Sequence, residues 1–306
     1  MNLRLPTVCL LASAILLATA ACRSEPEEEA PPVEPAEEID PRPISGITKS
    51  ADGVTIAYHA RGHGEPALVF VHGWSCDQRY WPHQVEDFSA DHRVVTLDLA
   101  GHGESGFDRL NWTLGEFGED VKAVVEELEL QRVILIGHSM GGPVVLEAAS
   151  RMPETVLGVI AVDALHDAAF EHDQEEWDAW TAAHEQDFDA SCRRFVSSLF
   201  VESTRKAVVD QVTADMCSSP PEVAIPLLNL LPRFDAKQAL REAAVPIRAI
   251  NADSFPTNVE GNRSFAPDYG AVVMEGVGHF PMLERPEEFN RHLRAAVAEV
   301  VAAGRT

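Results

Sequence analysis

Residues 137–142 read Gly-His-Ser-Met-Gly-Gly, between an apolar run at 132–136 and an amphipathic stretch at 143–152. A serine flanked by glycines at a strand-to-helix turn is a nucleophile pattern, because only small neighbours let the backbone turn sharply enough to lift the Ser139 hydroxyl above a sheet. The helix that follows begins with unpaired N–H groups, which can stabilise a developing oxyanion. A hydroxyl is a weak nucleophile and needs a base. Of twelve histidines, His279 is the best placed, in Gly276-Val277-Gly278-His279-Phe280 just after the apolar run 271–274. His72 and His102 read as residues lining the site, and His138 is aimed away from its neighbour's hydroxyl. An acid must orient the imidazole, and two aspartates between Ser139 and His279 directly follow apolar runs. Asp253, after 247–250, is favoured; Asp163, after 156–162, is the alternative. His72-Gly73-Trp74 follows the run 67–71, so the backbone N–H of Trp74 can pair with that of Met140 as an oxyanion hole. These groups predict attack on a carbonyl, an acyl-serine intermediate and its hydrolysis, with no metal and no cofactor.

Such groups need strands that end where the chemistry begins. Residues 67–71 (ALVFV), 93–97 (RVVTL), 132–136 (RVILI) and 156–162 (VLGVIAV) are continuous apolar runs, and 247–250 and 271–274 continue the series. Runs of this kind fit parallel strands buried on both faces. Helix signals lie between them. Thr113 to Glu116 is a capping box opening an amphipathic helix to about Leu128, 143–152 reads as a second helix, and 286–303 closes the chain. Residues 44–48 and 54–59 flank Asp52-Gly53, a hairpin signal. The alternation predicts an α/β fold, a mostly parallel sheet with helices on both faces and its ligands at the carboxyl ends of the strands. Residues 166–240 break the rhythm with helical patterns and no strand, which predicts an inserted helical lid. The core is then 44–165 with 241–306.

The segments HGW (72–74), DLAGHGES (98–105), GHSMGG (137–142) and GHFPMLERP (278–286) span nearly the whole predicted domain. In this order they resemble the α/β-hydrolase superfamily, in its serine-nucleophile branch with a helical cap. That superfamily includes esterases, lactonases, cofactor-free haloperoxidases and carbon–carbon bond hydrolases. The resemblance implies Ser139 as nucleophile, His279 as base, and the amides of Trp74 and Met140 as oxyanion hole. Relatives commonly supply the acid from a Gly-x-x-Asp segment. Here the text is Asn251-Ala252-Asp253-Ser254, so Asp253 requires a one-residue shift. Relatives that open haloalkanes or epoxides carry aspartate at the nucleophile position, so Ser139 favours acyl transfer. The expectation is an enzyme cleaving a carboxylic ester, thioester or lactone. A non-catalytic ligand-binding or receptor protein on the same fold is the alternative, and a carbon–carbon bond hydrolase or perhydrolase would use the same triad.

The 306 residues are 45% hydrophobic, which excludes wholesale disorder, and their formal net charge of −25 argues against a nucleic-acid partner. Five cysteines are too few for a disulfide scaffold. Residues 1–21 join Arg4 to an apolar stretch that ends in small residues, the pattern of an export signal. Cys22 follows Thr19-Ala20-Ala21 and resembles the lipobox of bacterial lipoproteins, with Thr19 where those proteins usually carry Leu. The resemblance implies a lipid anchor at Cys22 and a place in the cell envelope. A soluble periplasmic or secreted protein is the alternative. Residues 22–43 then form an acidic, proline-rich tether, with eight acidic residues and six prolines that keep it extended. In the inserted stretch Cys192 and Cys217 are a candidate disulfide for an exported chain, and Cys76 reads as a buried free thiol. Phe170, Trp177, Trp180, Phe188, Phe195, Phe200 and the leucines of 227–231 supply apolar surface there. They point to a small-molecule substrate with an apolar acyl or aromatic group. Of His166, Asp167, His172 and Asp173, the two histidines are not spaced to share one helical face, so no metal site is expected.

Overall fold

The computed structural model describes residues 43–304; the predicted export signal, Cys22 and the predicted tether up to residue 42 lie outside the described residues. The chain opens with β1 (Ile44–Lys49), β2 (Thr55–Arg61), β3 (Ala67–Val71), α1 (Pro82–Phe88), β4 (Val94–Leu97) and α2 (Leu114–Glu127). It continues with β5 (Val133–His138), α3 (Gly141–Arg151) and β6 (Val156–Val162). Five helices follow: α4 (Gln174–Gln186), α5 (Phe188–Ser198), α6 (Lys206–Met216), α7 (Pro221–Leu228) and α8 (Ala236–Ala243). The chain then returns to the sheet through β7 (Ile247–Ala252), α9 (Val259–Arg263), β8 (Tyr269–Met274), α10 (Pro281–Glu284) and α11 (Pro286–Ala303).

All eight strands form one sheet in the order β1-β2-β4-β3-β5-β6-β7-β8. The β1–β2 and β2–β4 pairs are antiparallel, and every pairing from β4 to β8 is parallel. This is the predicted α/β architecture. β3 and β5 are buried at every position, as their unbroken apolar text requires. Each fully buried Val, Leu or Ile there contributes about 1.5–3 kcal/mol. Thr113 caps α2 by accepting the Glu116 N–H at 3.0 Å, as the capping box predicts.

Register fixes where the central strands stop. Val71 pairs with Gly137, His138 with Val162, and Val162 with Ile250. The turns carrying Trp74, Ser139 and Asp163 therefore leave the sheet side by side at its carboxyl edge. Two elements run longer than their sequence signals: β7 reaches Ala252, and α8 reaches Ala243 and packs on α3. No strand lies between β6 and β7 among the described residues. A disulfide joins Cys192 in α5 to Cys217 at the end of α6, with Cα atoms 5.6 Å apart, and Cys76 is a buried free thiol.

One buried ion pair anchors the loop after β4. Arg109 and Asp120 are both fully buried and meet at 2.6 Å. Asp120 also accepts the Ala100 N–H at 3.1 Å, and Asp52 braces Arg109 at 2.9 Å. Burial works against both charges, yet the carboxylates keep the Arg109 guanidinium above its ordinary value.

Candidate active site

Ser139 follows β5 directly and precedes α3, at φ +52°. That left-handed conformation strains a residue with a Cβ by roughly 1–3 kcal/mol. The surrounding glycines make the turn sterically feasible. A side chain on Gly137 would run into the Gly141 carbonyl, and a Cβ on Gly141 would lie 2.6 Å from the Val71 carbonyl. The turn is pinned by the Ser139 N–H on the Val162 carbonyl at 3.0 Å and by the Gly142 N–H on the Ser139 carbonyl at 2.9 Å. The loop after β3 presses against it: a Cβ on Gly73 would come within 3.0 Å of Ser139 Cβ. Among the described residues, neither the Trp74 N–H nor the Met140 N–H has a hydrogen-bond acceptor. Two unpaired amides beside a serine are what an oxyanion hole requires.

His279 donates its Nδ1–H to Asp163 Oδ2 at 2.5 Å, which leaves Nε2 for the serine. Asp163 Oδ1 accepts the Ala252 N–H at 2.7 Å and lies 3.3 Å from His166 Nε2. Burial would push the Asp163 carboxyl up. His166 and His279 on its two oxygens outweigh that and hold it below the usual carboxylate range. Asp253, the acid favoured from sequence, does not reach His279. Because β7 continues to Ala252, Asp253 falls in the exposed turn beyond the strand and accepts the Gly276 N–H at 3.1 Å. Asn251, at the position where relatives carry glycine, is fully buried and accepts the Ala164 N–H at 3.1 Å. Of the two candidate acids it is therefore the alternative, Asp163, that the structure brings to His279.

The loop bearing His279 is held on three consecutive amides. Glu284 accepts the Gly278 N–H at 3.0 Å and the Phe280 N–H at 3.1 Å, one on each carboxylate oxygen. The His279 N–H goes to the Leu199 carbonyl at 2.7 Å, at the end of α5. Thr204 donates to Glu284 at 2.6 Å. None of these contacts is legible in the sequence, although Glu284 lies inside the GHFPMLERP segment.

Ser139, His279, Trp74 and Met140 line one cavity of about 430 Å³. Trp177, Trp180, Phe195, Leu227, Leu228 and Leu231 also line it, so helices α4 to α7 supply much of its apolar wall. The Trp74 indole N–H donates to the Ala224 carbonyl of α7 at 2.8 Å, tying the β3 loop to those helices. His138 is buried, and its Nε2–H donates to the His279 carbonyl at 2.8 Å. Burial pushes its pKa down to about 3, with His279 repelling it further, so it stays neutral and is no base. His72 and His102 do not line the cavity, contrary to expectation. Each is buried and bonded at both nitrogens. His72 bridges the Gly73 carbonyl and the Leu99 N–H, and His102 the Ala100 carbonyl and the Ser75 N–H. Burial lowers them to about 4 and about 3, so both are neutral struts beneath the Trp74 loop.

A family model described as "Alpha/beta hydrolase family" matches residues 68–292. The chain is similar to the Karrikin insensitive 2 receptor CA of Petunia hybrida, 25% identical over 257 residues that make up 79% of this chain and 94% of the relative. Its structure is similar to that of a bromoperoxidase from Bacillus anthracis, with a TM-score of 0.76 at 22% identity over 83% of this chain and 100% of that one. It is also similar to a thermophilic esterase from Thermogutta terrifontis, with a TM-score of 0.72 at 23% identity over 85% and 99% of the two chains. At such identities the structural likenesses show the fold.

Proposed function

The chain belongs to the alpha/beta hydrolase family, and from that premise we propose that it is an exported serine hydrolase that cleaves a carboxylic ester, thioester or lactone. The observation that carries this reading is the His279–Asp163 hydrogen bond beside a cavity that Ser139 shares. In the proposed cycle His279 Nε2 takes the Ser139 proton as the hydroxyl attacks the substrate carbonyl. The Trp74 and Met140 amides receive the oxyanion, and Asp163 stabilises the imidazolium that forms. The imidazolium gives its proton to the leaving group. His279 then activates water, which releases the acid from the acyl-serine. Helices α4 to α7 act as a cap whose apolar lining selects neutral acyl or aromatic groups. Export and lipid attachment at Cys22 rest on the text of residues 1–22 alone, and mass spectrometry of the mature N-terminus tests them.

The test of the activity uses the mature chain beside Ser139→Ala, with a fluorophosphonate probe and short p-nitrophenyl esters. Labelling and turnover that both vanish in the variant are expected. A folded protein that neither labels nor turns over would reject the enzyme reading. It would favour a ligand sensor on this fold, a role borne by the name of the petunia relative.

A further inference from the structure

The proposed triad acid is contacted by two histidines, and only one of them has a part in the cycle above. Asp163 Oδ2 takes the His279 Nδ1–H at 2.5 Å, and Oδ1 takes the Ala252 N–H at 2.7 Å. His166 Nε2 stands 3.3 Å from that same Oδ1. This nitrogen is buried, and among the described residues it completes no hydrogen bond, so its contact with Asp163 is an ion pair only when the imidazole is protonated. The placement of His166 is built into the fold. Asp163 and Leu165 both adopt left-handed conformations, with φ +43° and +54°, in the turn that brings His166 back over the carboxylate. The His166 carbonyl is held by the Asn258 N–H at 2.8 Å, and the Phe255 ring packs edge-on against its imidazole at 5.9 Å.

We propose that His166 is a positioning residue of the active site: it holds Asp163 through Oδ1 and, by its own protonation, sets how much of that carboxylate's charge is left for His279. This rests on the reading of Asp163 as the triad acid. A neutral His166 leaves the full charge to the imidazolium that forms at His279. A protonated His166 shares it, so His279 becomes a weaker base. The two imidazoles draw on one carboxylate. Few other groups of this kind surround them. His138 against His279 is neutral, and the Tyr269 hydroxyl is spent on the Leu165 carbonyl with its pKa pushed up to about 12 by burial. Asp167 is a further charge, bonded by Asn258 Nδ2 at 3.0 Å.

The experiment measures kcat, KM and thermal midpoint from about pH 5 to about pH 9 for the wild-type chain, His166→Phe, His166→Gln and Asp163→Asn. In His166→Phe we expect kcat to fall about fivefold as the ion pair that holds Asp163 is lost, with KM and thermal midpoint held. Its acid limb should follow one proton, where the wild type follows two protons. His166→Gln can offer an N–H to Oδ1, so it should recover most of kcat but keep the one-proton limb. Unchanged kcat and an unchanged limb in both variants would overturn the inference. So would equal losses in both that track a fall in thermal midpoint, since that is packing. Should the Phe variant not fold, the limb of the Gln variant decides alone. Wild-type activity in Asp163→Asn would instead remove the triad reading itself, whereas its collapse beside normal His166 variants would remove only this inference.

Discussion

Asp163→Asn and Asp253→Asn differ from wild type by one atom each and separate the two candidate acids. Asp163 uses both oxygens as acceptors, Oδ1 for the Ala252 N–H at 2.7 Å and Oδ2 for the His279 Nδ1–H at 2.5 Å. Asparagine has one oxygen. A backbone N–H can only donate, so the oxygen must turn to Ala252 and the NH₂ to His279. Nδ1 then has to accept, and the imidazole proton moves to Nε2, the nitrogen that must be free to take the serine proton. The imidazolium also loses a negative charge about 4 Å away, worth about 4 kcal/mol at an effective dielectric constant of 20. That alone is about a 10³-fold loss. We expect kcat on a p-nitrophenyl ester to fall at least about 10³-fold with KM little changed. Asp253→Asn keeps its exposed bond to the Gly276 N–H and should lose less than about twofold. The same pair predicts an acid-stability difference. Asp163 is held low in the folded state, against about 3.9 for an unperturbed aspartate. The unfolded chain therefore binds more protons, and the Asp163 contribution is complete above that value and lost as pH falls through it toward the folded pKa. Asp163→Asn should flatten that loss in urea melts, and Asp253→Asn should not. A dead Asp253→Asn beside an Asp163→Asn within tenfold of wild type would refute the assignment.

Two further predictions concern helices α4 to α7 and the cavity they line. The Cys192–Cys217 bridge spans 25 residues, for which loop closure gives about 3 kcal/mol. The double Cys→Ser variant, or reductant, should lower the thermal midpoint by about 8 °C; a calorimetric scan that shows no shift would mean the bridge constrains nothing. The charged side chains lining the cavity outside the candidate triad are Asp173 and Glu176, with no Lys or Arg. Esters with a terminal carboxylate on the acyl chain should show about fivefold lower kcat/KM than neutral ones of equal length, the gap narrowing with salt. Equal rates in low salt would sink that reading.

How much was legible depends on how local the cause is. Buried parallel strands are continuous apolar text, so β3, β5 and β6 could be read directly. Gly137, Gly141 and Gly142 mark the turn at Ser139 because the close approach of backbone is itself a local demand. The acid is not local. Asp163 and Asp253 both end apolar runs, and nothing in either run says which carboxylate turns inward. The decision belongs to the left-handed turn at Asp163 and to the extra reach of β7, both set by packing between strands. Asn251 in place of the relatives' glycine was the one textual sign that the β7 site is not built for the acid. The neutral state of His72 and His102 is equally tertiary, since only the fold supplies a partner for each ring nitrogen.

Three carboxylates hold His279 or the loop that carries it, and their roles follow from which hydrogen each accepts. Glu284 takes the Gly278 and Phe280 N–H groups, and Asp253 takes the Gly276 N–H. Backbone amides keep the same charge throughout the proposed reaction, so these bonds stabilise ground state and transition state alike. They fix the loop and add no rate of their own. Asp163 accepts a hydrogen from the imidazole, whose charge rises as the serine proton arrives. Its bond therefore strengthens on the way to the transition state, and only an interaction of that kind lowers the barrier. The same distinction places His166. A charge on it acts on Asp163 at the moment the carboxylate is most needed, so its effect belongs in kcat and in the pH profile, and not in substrate binding.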